Sequence, residues 1–220
     1  MAAMLIDDEA KKQVKNLQNT SPSPSYDLAK ERDARERYFR RKALTDKSGV
    51  PDRFKAENTA DARGNKWLAR KADIIGQLHN GVIISMIGQR GTGKTKMACD
   101  CIYEYIDRWN TLARYMTAMD FFIKVKDAYR TNSVESELYV LKDMSRPGLL
   151  VIDEIQERGQ TEWEDRLLTH VINTRYAELK DTILISNQTE QVFTAGVGTS
   201  IASRMKETGG IIVCDWPSYR

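Results

Sequence analysis

The sequence has little of what marks secreted, membrane-spanning or disulfide-stabilised chains. Its three cysteines, Cys99, Cys101 and Cys214, include no Cys-x-x-Cys pair, so neither a disulfide framework nor a zinc site is expected. The longest apolar run lies between Gly81 and Gly88, far short of the roughly 20 residues that cross a bilayer. The first nine residues lack a basic segment typical of a secretory signal. We therefore expect a cytoplasmic protein with reduced thiols and no membrane partner.

Excess charge of one sign is also missing. The 34 Lys and Arg residues nearly balance the 31 Asp and Glu residues, and the net charge of +3 does not by itself indicate a nucleic-acid partner. The 220 residues are 41% hydrophobic and 30% charged, which suits one α/β domain with a small appendage. This composition excludes a wholly disordered chain.

The N-terminal region, residues 1–47, differs from the remainder of the chain. Apolar residues at helical spacing predict a short amphipathic helix over residues 4–18, and a Ser/Pro linker at 20–25 then interrupts it. Residues 26–43 carry acid-first pairs at i,i+4 spacing, which favour a second helix. The simple interpretation is a solvated helix. The alternative is that its aromatic residues, Tyr38 and Phe39, pack against a partner protein.

Strands and helices alternate in the rest of the chain, after a linker and leading helix over residues 48–80. This alternation indicates βαβ units, and so an α/β fold with a central parallel sheet in a domain over residues 81–220. The predicted strands cover residues 82–87, 113–117, 149–152, 182–186 and 211–214. The predicted helices cover residues 67–78, 94–109, 120–131, 134–144, 162–179 and 199–206.

One segment between a predicted strand and a predicted helix fits the pattern G-x-x-x-x-G-K-[ST]. Its glycines let successive amides curl inward, and the helix N-terminus adds partial positive charge. Lys94 would reach the β- and γ-phosphates of a nucleotide, and the hydroxyl of Thr95 would bind Mg²⁺. An ordinary glycine-rich turn is the alternative, but it has no use for the lysine. We therefore predict ATP and Mg²⁺ as cofactors, bound by Gly88, Gln89, Arg90, Gly91, Thr92, Gly93, Lys94, Thr95 and Lys96.

Polar side chains follow two other predicted strands. Asp153 and Glu154 come at the carboxyl end of a buried strand, where ligands of α/β proteins bind, and Asn187 follows the next strand. Asp153 could hold Mg²⁺ through water, Glu154 could polarise an attacking water, and Asn187 could orient that water. An ordinary polar turn is the alternative in each case. Together with Lys94, the pattern favours nucleotide hydrolysis.

The ordered set of these motifs resembles the AAA+ ATPases of the DnaC/IstB group, which includes replicative helicase loaders of bacteria and phages and helper ATPases of transposition. The resemblance implies a P-loop AAA+ three-layer sandwich around a five-stranded parallel sheet, with a small helical N-terminal region. A departure from the family pattern is expected at Arg220, after which no C-terminal lid domain is expected. The last segment is more similar to the loaders. The matching segments are residues 49–54, 88–95, 149–155, 186–187, 201–205 and 215–220.

The resemblance also implies roles that the residues alone do not. Arg204 falls at the arginine finger, which acts on the nucleotide of a neighbouring subunit and implies self-association through the ATP interface; a surface arginine is the alternative. Arg220 would be a second cation near the nucleotide. Single-stranded DNA would contact the second helical layer, although the helical spacing of the aromatic residues there favours a core. The DNA candidates are Lys124, Lys126, Tyr129 and Arg130.

The function expected from this resemblance is helicase loading in DNA replication. The N-terminal region, through Tyr38 and Phe39, would bind a hexameric helicase of the DnaB type, and slow, partner-stimulated ATP hydrolysis would time its release onto single-stranded DNA. An IstB-like helper ATPase of transposition is the main alternative. A small-molecule P-loop kinase and a nucleotide-binding module without turnover are further alternatives.

Overall fold

A computed structural model describes residues 24–55, 64–129 and 136–219. The described residues fall into two compact units, which divide after Arg40. The helix predicted over residues 4–18 lies outside the described residues. Helix α1, Pro24–Asp46, contains the charged segment that was predicted to be helical. It begins inside the predicted Ser/Pro linker, because proline is tolerated in the first helical turn, where its missing N–H would have no partner.

Strands and helices alternate after α1 as the sequence predicts. Three elements in the described part of the chain were not predicted: the helix Glu190–Val197 and the 3₁₀ turns Asp52–Phe54 and Ile155–Glu157. The helices are α2 Asn65–Gln77, α3 Lys94–Trp109, α4 Ala118–Asp127, α5 Glu137–Ser145, α6 Glu162–Ala177, α7 Glu190–Val197 and α8 Thr199–Thr208. The strands are β1 Ile83–Ile87, β2 Ala113–Thr117, β3 Leu149–Asp153, β4 Asp181–Ser186 and β5 Gly210–Val213.

The five strands form one parallel sheet in the order β2-β3-β4-β1-β5. This confirms the predicted α/β fold with a five-stranded parallel sheet. Strands β1, β3 and β4 are buried along their whole length, as expected for strands covered on both faces. The strand β1 lies between β4 and β5, so the segment after it leaves the sheet beside the carboxyl ends of both neighbours.

Helices cover the two faces of the sheet and create two hydrophobic cores. Successive side chains of a strand point to opposite faces, and β1 divides accordingly: Ile84 and Met86 join the core under α2 and α3, whereas Ile83 and Ile87 join the core under helices α4 to α8. The result is a three-layer sandwich. No helix in the described ranges is long and apolar enough to cross a membrane.

The amino end of the sheet contains two buried charged side chains, Arg175 and Asp181. Arg175 has no solvent-exposed surface and donates to the carbonyl oxygens of Pro147 at 2.8 Å and Gly148 at 3.2 Å, and to the hydroxyl of Thr182 at 2.9 Å. Burial lowers the pKa of Arg175 to about 10. Asp181 accepts from the amides of His79 and Val82 at 2.7 and 2.9 Å. These bonds fasten the loops that enter β1, β3 and β4.

Candidate nucleotide-binding site

The segment Gly88–Thr95, called the phosphate loop below, connects the end of β1 to the first turn of α3. Gly88, Gly91 and Gly93 adopt positive φ angles of 135°, 89° and 81°, a conformation that glycine adopts at little cost. A Cβ atom on Gly88 would also lie 2.5 Å from the carbonyl oxygen of Cys214. Backbone conformation and close approach therefore both require glycine at the start of the loop.

Lys94 lies folded back over the phosphate loop. Its Nζ donates to the carbonyl oxygens of Gly88 and Gln89 at 2.7 and 2.8 Å, and the residue is 4% exposed. The amide of Met97 bonds to the carbonyl of Gly93 at 2.9 Å, so the amides before it lie in the first turn, where α-helical partners do not exist. The lysine charge and this helix terminus give the loop the properties of an anion site.

The Thr95 hydroxyl donates to Oδ2 of Asp153 at 2.7 Å. The structure thus brings together the two residues predicted to bind Mg²⁺, one from α3 and one from the end of β3. The other carboxylate oxygen, Oδ1, accepts from the amide of Glu154 at 2.7 Å. A hydroxyl and a buried carboxylate at this spacing fit the oxygen ligands that Mg²⁺ prefers.

Tyr115 is a third partner of Asp153 that the sequence analysis missed. Its hydroxyl donates to Oδ2 of Asp153 at 3.0 Å, and burial, followed by the nearby carboxylate charge, raises the pKa of the tyrosine. In the β2–β3 register Tyr115 lies opposite Val151, two residues before Asp153, and a long side chain can reach such a diagonal neighbour. No local sequence signal marks this contact, because it depends on which strands pair.

Glu154 and Asn187 lie at the carboxyl ends of β3 and β4. Glu154 is exposed, and its backbone adopts a left-handed conformation with φ of 55°. Partial desolvation and, to a smaller extent, the charge of Asp153 raise the pKa of Glu154. The main-chain N–H of Asn187 donates to Oε1 of Gln156 at 3.1 Å. The sequence analysis did not predict this contact. Asn187 lines a cavity of about 620 Å³ together with Gly88 and Gln89, so the cavity joins it to the phosphate loop.

The other residues of the predicted nucleotide set have contacts of their own. The Thr92 hydroxyl donates to the Gln89 carbonyl at 3.1 Å, and Arg90 reaches Oε1 of Glu157 at 3.2 Å. The ammonium of Lys96 is buried against Asp100. Because its ammonium is paired with Asp100, Lys96 can offer its main-chain N–H, but not its charge, to the predicted nucleotide site.

Arg204, the predicted arginine finger, lies on α8 and contacts neither the phosphate loop nor Asp153 within the described residues. Its Nη1 donates to the carbonyl and hydroxyl oxygens of Ser200 at 3.0 and 2.6 Å, and its guanidinium lies 5.0 Å from the ring centroid of Tyr176. Its buried Nε has no hydrogen-bond partner in the described part of the chain. Within its own subunit, Arg204 therefore contacts Ser200 and Tyr176 rather than the predicted nucleotide site.

The predicted DNA-contacting residues lie mainly on the exposed face of α4. Lys124 and Lys126 are exposed, and Lys126 Nζ lies 5.6 Å from the ring centroid of Trp163. Tyr129 is 54% exposed, with its hydroxyl 3.5 Å from the indole nitrogen of Trp163. Phe121 and Phe122, by contrast, are buried in the core. Arg130 lies outside the described residues, as does Arg220.

The predicted partner-binding residues are on α1. Tyr38 and Phe39 are 62% and 55% exposed, and their rings meet edge-on with centroids 5.6 Å apart. Arg35 lies 5.7 Å from the centre of the Phe39 ring. Among the described residues, no group of three or more His, Cys, Asp or Glu side chains could hold a metal ion.

Fold and site together define a P-loop ATPase of the AAA+ type. The family profile described as IstB-like ATP binding protein matches residues 27–207, and the chain belongs to this family. A crystal structure of the DnaC helicase loader superposes with a TM-score of 0.63 at 18% identity, covering 74% of this chain and 99% of that one. AMPPCP-bound DnaA from Aquifex aeolicus superposes with a TM-score of 0.59 at 23% identity, covering 74% and 50%.

Curated relatives narrow the class to DnaC-like AAA+ ATPases. The replicative helicase loader DnaC of Escherichia coli K12 is 30% identical over 144 residues, which cover 64% of this chain and 58% of the relative. The replicative helicase loader DnaC of Buchnera aphidicola subsp. Acyrthosiphon pisum is 25% identical over 170 residues, covering 77% and 68%. The chain thus spans less than two thirds of the length of the Escherichia coli relative.

Proposed function

We propose that this protein is an ATP-dependent helicase loader in DNA replication. It binds a hexameric replicative helicase of the DnaB type and delivers it onto single-stranded DNA, and ATP binding and hydrolysis control release. The observation that carries this proposal is the 30% identity over 144 residues to a protein named as a replicative helicase loader. The arrangement of Lys94, Thr95 and Asp153 supplies the nucleotide chemistry that such control needs.

Nucleotide binding in this proposal exchanges contacts that the loop now makes internally. Lys94 leaves the carbonyls of Gly88 and Gln89 and contacts phosphate oxygens, while the loop amides bind the same phosphates. Thr95 and Asp153 would hold Mg²⁺, which supplies neutralisation of phosphate charge. Glu154 accepts a proton from the attacking water, a role that its raised pKa favours, and Asn187 orients that water.

Arg204 acts between subunits in this proposal. A guanidinium near the phosphoryl group of a neighbouring subunit stabilises transition-state charge and contributes roughly 10³–10⁵ in rate in comparable enzymes. To reach across, Arg204 has to leave Ser200 and the ring of Tyr176, both of which are noncovalent contacts within its own subunit. Hydrolysis should therefore depend on self-association, and Arg204→Ala should remove that dependence on protein concentration.

Two exposed surfaces are assigned to the partners. Lys124, Lys126 and Tyr129 contact single-stranded DNA, with Arg130 as a further candidate, because exposed cations beside an aromatic ring suit phosphates and bases. Tyr38 and Phe39 contact the helicase, because both rings are exposed on a helix of mostly charged residues. The division into residues 1–47, 48–80 and 81–220 remains a prediction.

A second candidate function is a helper ATPase of DNA transposition, which the match to the IstB-like family profile favours. Such a protein would bind duplex DNA and a transposase. The loader would bind single-stranded DNA and a hexameric helicase. Partner and DNA preference therefore distinguish the two candidates.

The test is a pull-down of a replicative helicase with the full chain, with ATP and ADP compared. We expect capture that depends on the bound nucleotide, loss of this dependence in Lys94→Ala, and weaker capture in the double variant Tyr38→Ala/Phe39→Ala. Leu28→Ala, at an exposed residue on the same helix, is the control. Capture of a transposase and tighter binding of duplex than of single-stranded DNA would overturn the proposal in favour of the second candidate.

A further inference from the structure

Three successive carbonyl groups of the phosphate loop are held by donors from outside it. The carbonyl of Gly91 accepts from the amide of Tyr219 at 2.9 Å. The carbonyl of Thr92 accepts from the indole N–H of Trp216 at 2.8 Å, and that of Gly93 from the indole N–H of Trp67 at 3.4 Å. Two of these donors belong to residues 214–219, called the closing segment below.

The closing segment is itself fastened to the body of the domain. It starts where β5 ends, and the amide of Cys214 donates to the carbonyl of Ile87 at 2.7 Å. Asp215 forms an ion pair with Lys66 of α2 at 2.6 Å. Trp216 is 8% exposed and lies in the same hydrophobic core as α3. The indole N–H of Trp216 is therefore presented to the loop from a fixed position.

Holding a carbonyl in one direction also directs the next amide. In a planar trans peptide the C=O of one residue and the N–H of the following residue point to opposite sides. Donors that hold the carbonyls of residues 91–93 outward therefore turn the amides of residues 92–94 toward the inside of the loop. Those amides are the groups that such a loop offers to the α- and β-phosphates.

We propose that Trp216, with Trp67 and the closing segment, positions the phosphate loop for nucleotide by holding its carbonyls. This role rests on the proposed binding of ATP at the phosphate loop. It extends the nucleotide site to residues that contact no phosphate themselves. A loop arranged in advance avoids an ordering cost on binding. Lys94 holds the carbonyls of Gly88 and Gln89 and has to leave them, whereas the indoles keep their contacts when nucleotide binds.

The test compares Trp216→Phe with the control Trp109→Phe. Phenylalanine keeps an aromatic ring in the core but removes the indole N–H, leaving the Thr92 carbonyl without its donor. Trp109 lies at the opposite end of α3, where it stacks on His79. We expect Trp216→Phe to weaken Mg-ATP and Mg-ADP by a similar factor, roughly 5-fold to 10-fold, in titration calorimetry. Trp109→Phe should bind both as the original chain does.

Amide hydrogen exchange provides a readout that loss of stability alone does not produce. Without nucleotide, Trp216→Phe should exchange faster in residues 88–96 while β3 and β4 retain their protection. Asp215→Asn, which removes the ion pair to Lys66 without changing the core, should show the same pattern with a smaller change. Faster exchange throughout the chain would mean that Trp216 only stabilises the fold, and would overturn the inference.

The remaining outcomes are equally decisive. Original affinity and original loop exchange in Trp216→Phe would refute the positioning role while leaving the proposed function intact, provided that Lys94→Ala abolishes binding. If the original chain bound no adenine nucleotide, the proposed function would fail. The exchange measurement in the free protein would then still show whether the indole orders the loop.

Discussion

The two ends of the parallel sheet both contain buried polar groups, but they hold them differently. At the amino end, the donors of Arg175 go to main-chain carbonyls and to Thr182, none of which a ligand could replace. At the carboxyl end, Lys94 bonds to loop carbonyls and Thr95 bonds to Asp153, and phosphate or a cation could replace each partner. Permanent partners stabilise the fold, and replaceable partners keep a site ready for its ligand.

The comparison predicts that substitutions at the amino end change stability, whereas those at the carboxyl end change nucleotide chemistry. Arg175→Ala should have the largest effect, because several buried acceptors lose their donor at once. Leaving a buried acceptor unpaired costs about 1–3 kcal/mol for each group, and the total loss is measurable by urea unfolding. Arg166→Ala, at an exposed arginine of the same helix, should stay within about 0.5 kcal/mol. An equal loss of unfolding free energy in Arg175→Ala and Arg166→Ala would contradict the structural role of the buried contacts at the amino end.

Glu154→Gln should show the opposite behaviour. Because glutamine cannot accept the proton of the attacking water, ATP hydrolysis should fall by roughly 10²–10⁴, while nucleotide binding stays close to that of the original chain and the fold is not destabilised. Phosphate release and nucleotide titration measure the two properties separately. Glu157→Gln, three residues further on and paired with Arg90, should retain hydrolysis. Unchanged turnover in Glu154→Gln would exclude Glu154 as the base.

Tyr115→Phe should sharpen the comparison at the metal-binding carboxylate. The ring stays in place, but Asp153 loses one of its donors, so the carboxylate is less firmly oriented. Loss of one such bond corresponds to about 1 kcal/mol, and we expect severalfold more Mg²⁺ to be needed for half-maximal ATP binding. Tyr105→Phe, a buried tyrosine beside His79 at the other end of the sheet, should leave the Mg²⁺ requirement unchanged. An increased Mg²⁺ requirement in both variants would contradict the role of Tyr115 in orienting Asp153.

The smallest effect concerns the pH dependence of stability. Desolvation and Asp153 raise the pKa of Glu154 in the folded state, so the folded chain holds this proton more tightly than the unfolded chain. Stability from Glu154 is then present below its unfolded pKa, about 4.3, and is lost as the pH rises through the raised value. Relative to the original chain, Glu154→Gln should therefore gain stability as the pH rises above about 4.3.

Urea unfolding at several pH values measures this gain. Glu36→Gln, which replaces an exposed carboxylate on α1, serves as the control and should show a smaller pH-dependent difference. A difference between Glu154→Gln and the original chain that stays constant with pH would contradict the raised pKa.

Contiguous features could be predicted from the sequence, and features assembled by strand order could not. The phosphate loop is one continuous segment whose glycines and lysine identify it, and β1, β3 and β4 are recognisable as buried apolar runs. The contact of Tyr115 with Asp153 requires knowing that β2 pairs with β3. Likewise, Trp216 meets Thr92 only because β5 lies beside β1.

The differences between predicted and observed helices have local causes. Helix α7 escaped prediction because it is only eight residues long and contains Gly196 near its end, so it shows little periodic pattern. The helix predicted over residues 120–131 begins earlier, at Ala118, because the Thr117 hydroxyl accepts from the Asp120 amide and caps it there. Capping of this kind is visible in sequence only once the end of the preceding strand is known.

The pairing of β5 with β1 has a consequence for chain length. Ile87 lies opposite Val213, and this register determines where the indole of Trp216 stands relative to Thr92. Adding or removing one residue between Gly210 and Trp216 would move the indole by about 3.3 Å and turn alternate side chains to the other face. An insertion far from any phosphate contact would thus misalign the phosphate loop. The number of residues between Gly210 and Trp216 therefore determines the geometry of the nucleotide pocket.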